Sequence, residues 1–207
     1  MKDNFSYNAE DEHIVDVEAE NEKEKEPQED YAPSKTADFL YDWVRAMLAS
    51  ICVVVLLLTF CFRLVTIDGD SMNNTLINAD KVILTTFNYK PKNGDIVAIS
   101  HGGSLNKTII KRIIATEGQT ISFDFDKAQV IVDGVIIDEP YIKDPTTQVS
   151  NWDIPSFIPE GYVFVMGDNR AISLDSRNSA VGLIPADDII GKAQVVVVPF
   201  NHFKYLY

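Results

Sequence analysis

The sequence predicts a mainly β protein, with an antiparallel β-barrel- or sandwich-like domain carried behind one N-terminal transmembrane helix and a disordered acidic tail. Three observations predict it. Residues 1–40 hold thirteen acids and four lysines, so most of the formal charge of −13 sits there and residues 41–207 carry only −4. Ala46–Phe62 is a run of apolar residues without a charge. From Lys81 onward, short β-branched runs alternate with turn residues, and no stretch of helical period and useful length appears. An apolar fraction of 46% in 207 residues supports one ordinary core plus appendages.

Residues 1–40 form the expected tail, dominated by Asp, Glu, Asn and Lys in runs such as E-A-E-N-E-K-E-K-E. Such a composition buries too little apolar surface to offset chain entropy. It serves as a solvated spacer, with a recruiting segment as the alternative. No short apolar core follows the first residues, which excludes a cleavable secretory leader at this start.

Residues 41–65 form the expected anchor. The run A-M-L-A-S-I-C-V-V-V-L-L-L-T-F-C-F lies between Arg45 and Arg63, with Tyr41 and Trp43 at one end. Val44, Leu64 and Val65 lengthen it beyond the arginines, whose stems reach along apolar surface toward water. A buried core helix is the alternative. Lys35 and Arg45 flank one end, Arg63 and Lys81 the other, so charge hardly specifies orientation. An uncleaved anchor before a large domain most simply leaves the N-terminus cytoplasmic and places residues 66–207 on the extracytoplasmic side of the cell membrane.

In that domain, Val82–Phe87, Asp95–Ser100, Lys107–Thr116, Gln129–Val132, Val135–Ile137, Gly161–Met166 and Ala193–Pro199 are the expected strands. Asp133-Gly134 is the pair a type I′ hairpin needs. Several classes of partner drop out. Lysines and arginines are scattered, which argues against nucleic acid. Cys52 and Cys61 both fall in the apolar run, leaving no disulfide framework and no thiolate metal site. His13, His101 and His202 recur at no metal-ligand spacing, so no metal or cofactor is expected.

The chemistry begins at I-D-G-D-S-M-N-N-T-L, from Ile67 to Leu76. Ser71 is held near the anchor, because the eight residues from Arg63 to Asp70 extend roughly 26 Å at most. A serine hydroxyl needs a base. A Ser-His-Asp triad is disfavoured: G-D-S-M-N lacks the second glycine of a G-x-S-x-G elbow, and neither His101 nor His202 has a demanding context. The other base is Lys111, in N-K-T-I-I-K-R-I-I-A-T. Strand alternation gives it Ile109 and Ile113 as same-side neighbours, while Ile110, Arg112 and Ile114 face the other way. Desolvation there lowers the amine pKa, and a fall from about 10.4 to roughly 7–8 costs about 3–5 kcal/mol. An edge-strand lysine that blocks pairing is the plainer alternative. G-D-N-R-A-I-S-L-D-S-R, from Gly167 to Arg177, packs short polar groups after a strand, either as a solvated loop or as support for the amine.

Together, S-M-x-x-T-L after an anchor, K-R-I-I in a strand and G-D-N-R-x-x-S-x-D-S-R resemble the bacterial type I signal peptidases, Ser-Lys membrane proteases. The likeness covers nearly everything from Ala46 onward, including G-L-I-P-A-D-D-I-I-G-K-A. It implies Ser71 as nucleophile, Lys111 as general base and Met72 as the buried residue seating the serine. It also implies that Ser173 hydrogen-bonds the lysine amine, that Asp175 and Arg177 form a bracing ion pair, and that Asp168 and Arg170 are structural. The Ser71 N–H would meet the oxyanion. The hydroxyl that some members carry two residues earlier is replaced by Gly69, and the usual proline by Asn74.

The implied reaction is removal of signal peptides from exported preproteins, bound as extended strands, with membrane lipid as the other partner. Val65, Ile67, Ile109 and Ile110 line shallow pockets for small side chains, or else simply pack the core. Two competitors remain. One is a catalytically weak or silent membrane-anchored peptide-binding homologue; the other is a self-cleaving Ser-Lys repressor, which would lack the anchor and carry a DNA-binding segment.

Overall fold

The computed structural model describes residues 35–206. The expected disorder of residues 1–34 lies outside the described residues. Helix α1 spans Lys35–Cys61, 27 residues or about 40 Å at 1.5 Å each. Its most apolar 18-residue window has a mean hydropathy of 2.4, so it is long and apolar enough to cross a bilayer. Both of its ends differ from the sequence expectation. Residues 35–40, assigned to the tail, continue the helix upstream, because adding turns to an existing helix costs far less than starting one. Residues 62–65, assigned to the anchor, belong instead to strand β1 (Phe62–Thr66), which pairs antiparallel with β2 (Lys81–Thr85). Their apolar character suits either state, and only the pairing partner decides.

The rest is mainly antiparallel β, as expected. The remaining strands are β3 (Ile96–Ile99), β4 (Ile109–Ala115), β5 (Ile121–Asp124), β6 (Gln129–Val132), β7 (Val135–Ile136) and β8 (Tyr162–Met166). β9 (Ile184–Pro185), β10 (Ile189–Val198) and β11 (Lys204–Tyr205) complete them. The larger sheet runs β1-β2-β10-β3-β4-β8-β9, with β11 added to β10; the smaller is β5-β6-β7. β6 and β7 turn at Asp133-Gly134, with φ of 50° and 78°, the left-handed pair of a type I′ hairpin. β10 starts four residues before its expected position and shifts register against both neighbours, which hides its period from a sequence scan.

β3 and β4 lie at the centre and are covered on both faces. Ile96 and Ala98 pack with Ile67, Met72, Leu76, Val82 and Leu84. Val97 and Ile99 pack with Ile109, Ile113, Val163 and Val165. A strand buried on both sides reads as a continuous apolar run rather than an alternating one. That environment is where Lys111 and Arg112 sit.

Candidate active site

The segment Ile67–Asp80 leaves β1 and returns to β2 as a closed loop. Ile67 N–H donates to Asp80 O at 2.8 Å and Ala79 N–H to Ile67 O at 3.0 Å. Asp80, fully buried, accepts from Ile77 N–H at 3.0 Å and faces His202 at 2.8 Å. Met72 and Leu76 anchor the loop from inside, at 1% and 0% exposure. Burying a side chain of that size is worth about 1.5–3 kcal/mol. Ser71, half-buried, is thereby held against β4.

Lys111 comes from the middle of β4, opposite Val97 of β3, and is 3% exposed. Its Nζ lies 2.7 Å from Ser71 Oγ and 3.1 Å from Ile110 O. Burial pushes the amine down to about 8, while Asp175 and Asp168 pull it up and Lys107 adds to the lowering. No carboxylate lies within ion-pair distance of it among the described residues. The amine is therefore buried beside a hydroxyl with nothing to hold its proton firmly.

Gly167–Arg177 packs behind this pair. A Cβ at Gly167 would collide with Ser173 Oγ and Ser71 O, so only glycine allows β8 to end against the Ser71 loop. Asp175 accepts from Gly167 N–H at 3.0 Å and from Arg177 Nε and Nη2 at 2.9 and 2.8 Å. Arg170, fully buried, pairs with Glu139 and Thr146 and donates to Gly167 O at 3.0 Å. Asp168 takes a bidentate grip from Arg112 at 2.9 and 2.6 Å and accepts the hydroxyl of Thr75. The Arg112 guanidinium also stacks 3.9 Å from the Tyr141 ring centre. The stretch is a buried ionic brace rather than a solvated loop.

One implied contact is absent. Ser173 does not hydrogen-bond the Lys111 amine, which is committed to Ser71 Oγ and Ile110 O. Its hydroxyl is buried against Gly167 without a hydrogen-bond partner among the described residues.

A groove of about 340 Å³ opens over Ser71 and Lys111. Val65, Ile67, Ile109 and Ile110 all line it, although Ile67 and Ile109 are also core residues at 5% and 8% exposure. Sequence reasoning missed Leu105, Ile172 and Leu174 in the lining, and the exposed charged residues Asp68, Asp70 and Lys107 there. The available signal was two aliphatic residues, Ile172 and Leu174, inside an otherwise polar run. It also missed Arg112 and Asn169, whose partners are distant in sequence. Gly69 has φ of +97° and donates its N–H to Asn78 at 3.0 Å, so a residue with a side chain there would be strained. Among the described residues, no three His, Cys, Asp or Glu side chains are grouped to hold a metal ion.

The family model for signal peptidase, peptidase S26, matches residues 40–198. A signal peptidase I of Bacillus licheniformis is 33% identical over 175 residues, covering 80% of this chain and 92% of that protein. Signal peptidase I T of Bacillus subtilis strain 168 is 32% identical over 183 residues, covering 84% and 92%. A solved signal peptidase I of Enterococcus faecalis, 27% identical, aligns with 50% of this chain and 97% of that one at a TM-score of 0.41.

Proposed function

The chain belongs to the signal peptidase family, peptidase S26, and is a serine protease of it; from that premise, we propose that it removes signal peptides from exported preproteins with Ser71 as nucleophile and Lys111 as general base. The observation that carries the reading is the 2.7 Å contact between Ser71 Oγ and a lysine amine that is 3% exposed. With the amine at about 8, about a tenth of it is neutral at pH 7. That fraction takes the Ser71 proton as Oγ adds to the scissile carbonyl. The protonated amine then returns the proton to the departing amino group, and the neutral amine activates the water that hydrolyses the acyl-enzyme.

Substrate binding follows from unpaired strand edges. β8 leaves β4 at the Arg112–Met166 pair, so Ile109–Lys111 keep one edge without a strand partner among the described residues, and Val65–Asp68 line the same groove. An extended peptide fits between them by main-chain hydrogen bonding, with shallow apolar pockets admitting small side chains. Met72 seats Ser71, and the Asp175–Arg177 pair braces the loop behind it. Residues 66–207 form the catalytic body. Helix α1 anchors that body in the cell membrane, with the N-terminus cytoplasmic and the catalytic side outside. Sharing one membrane plane with the substrate raises the effective concentration of both.

The test uses the full chain in detergent with an exported precursor. Ser71→Ala and Lys111→Ala each abolish cleavage while circular dichroism stays that of the parent. Near-normal cleavage by the Lys111 variant would remove the dyad. A parent protein that binds the precursor and never cuts it would favour the silent homologue.

A further inference from the structure

Resting on the reading of Ser71 as nucleophile, we propose that Asn169 is the positioning residue of the oxyanion site: it fixes the peptide unit between Asp70 and Ser71 so that the Ser71 N–H is aimed at the reacting carbonyl oxygen. Asn169 is 3% exposed and grips this loop twice. Its side-chain Nδ2 donates to Asp70 O at 3.1 Å, and its backbone N–H donates to Ser71 O at 3.0 Å. The Asp70 carbonyl also accepts from Asn73 N–H at 3.2 Å.

The geometry matters because Asp70 C=O and Ser71 N–H are opposite ends of one planar trans peptide. Two donors on that oxygen determine where the hydrogen points, and by polarising the amide they strengthen it as a donor. The Ser71 N–H has no acceptor among the described residues, as an N–H kept for a developing charge requires. Gly69 supplies no side-chain donor two residues earlier, so stabilisation falls on the orientation of a backbone group. Asn169 makes no hydrogen bond to Lys111 and acts through the peptide it holds.

A merely structural asparagine and an orienting one are separated by comparing two ligands of the full chain in detergent. One is a peptide aldehyde, to which Ser71 Oγ adds: its proton passes to Lys111, and the carbonyl electron pair moves onto the oxygen facing the N–H. The other is the matching peptide alcohol, which forms no such oxygen. Asn169→Ala keeps the backbone donor and removes the carboxamide, whose one hydrogen bond among the described residues is that of Nδ2 to Asp70 O. It should weaken the aldehyde and lower kcat about 10- to 100-fold, with alcohol affinity and KM near those of the parent. Asn169→Leu, close in shape, uncharged and lacking the donor, carries the same expectation and covers a failure of the alanine variant to fold. Equal losses for aldehyde and alcohol, or an unchanged ratio between them, overturn the inference. Ser71→Ala distinguishes the underlying reading: if it still cleaves, Ser71 is not the nucleophile, whereas an inert Ser71→Ala beside an unaffected Asn169→Ala sinks only the role of Asn169.

Discussion

On β4 two buried cations are neighbours and are handled in opposite ways. Arg112, 4% exposed, faces Asp168 in a bidentate pair with the Tyr141 ring stacked beside it. Lys111, equally buried, faces a hydroxyl and a carbonyl and has no carboxylate at ion-pair distance among the described residues. The brace behind the site repeats the first solution at Arg170–Glu139 and Arg177–Asp175. Charge is matched at these three arginines and left unmatched at the amine that the proposed mechanism requires to give up its proton. Arginine suits the first task, since it cannot be deprotonated in a protein, and lysine the second, since its pKa moves readily with burial.

The largest effect is expected from breaking the matched side. Asp168→Ala leaves Arg112 buried without its partner and strips the acceptor from Thr75, which should cost about 3–5 kcal/mol of stability. Thermal unfolding of the full chain in detergent measures it, and a variant melting with its parent would mean the pair is effectively solvated. Replacing the unmatched amine has the opposite sign. The amine is held near 8 in the folded chain against 10.5 ordinarily, so its burial as an ammonium costs about 3 kcal/mol at pH 7. Lys111→Met removes that cost and loses the two hydrogen bonds to Ser71 Oγ and Ile110 O, worth about 1 kcal/mol each, giving an inactive protein more stable by about 1 kcal/mol. Between about pH 8 and 10.5 the unfolded chain binds a proton that the folded one has released, so the parent gains stability as pH rises and the methionine advantage shrinks. A methionine variant less stable than the parent at pH 7 would show that the ammonium is hydrated.

The same contrast explains what was legible in the sequence. Lys111 stands out because lysine is rare inside an isoleucine run, and a buried strand advertises itself by that run. Ser71 is legible by its place after the anchor and by the likeness of three motifs. The brace is visible as a dense polar stretch, but its pairings are not. Arg112–Asp168 and Arg170–Glu139 join residues 56 and 31 positions apart, and no local pattern records which carboxylate meets which guanidinium. Ser173 illustrates the limit of reading a contact from a motif, since its residue type suits a hydrogen bond that the amine makes elsewhere. β1 was hidden because F-R-L-V-T continues an apolar anchor, and β9 and β11, at two residues each, carry too little period to detect.

The mildest test of the comparison tunes the unmatched amine without touching it. Lys107 lies on the groove rim, exposed, and as a like charge it adds to the lowering of Lys111. Lys107→Gln withdraws that repulsion, so the Lys111 amine should hold its proton to a slightly higher pH. Because the proposed reaction needs the neutral amine, the ascending limb of the kcat/KM profile, expected near 8 in the parent, moves toward alkaline pH. The plateau above it is unchanged, since the fully deprotonated amine is the same base. The displacement should be small and should fade in high salt, where charges on an exposed rim are screened beyond about 3 Å at 1 M. Kinetics at low and high ionic strength check it. A limb that stays put at low salt would mean that burial alone sets the amine, and one that moves to lower pH would contradict the assigned sign of the interaction.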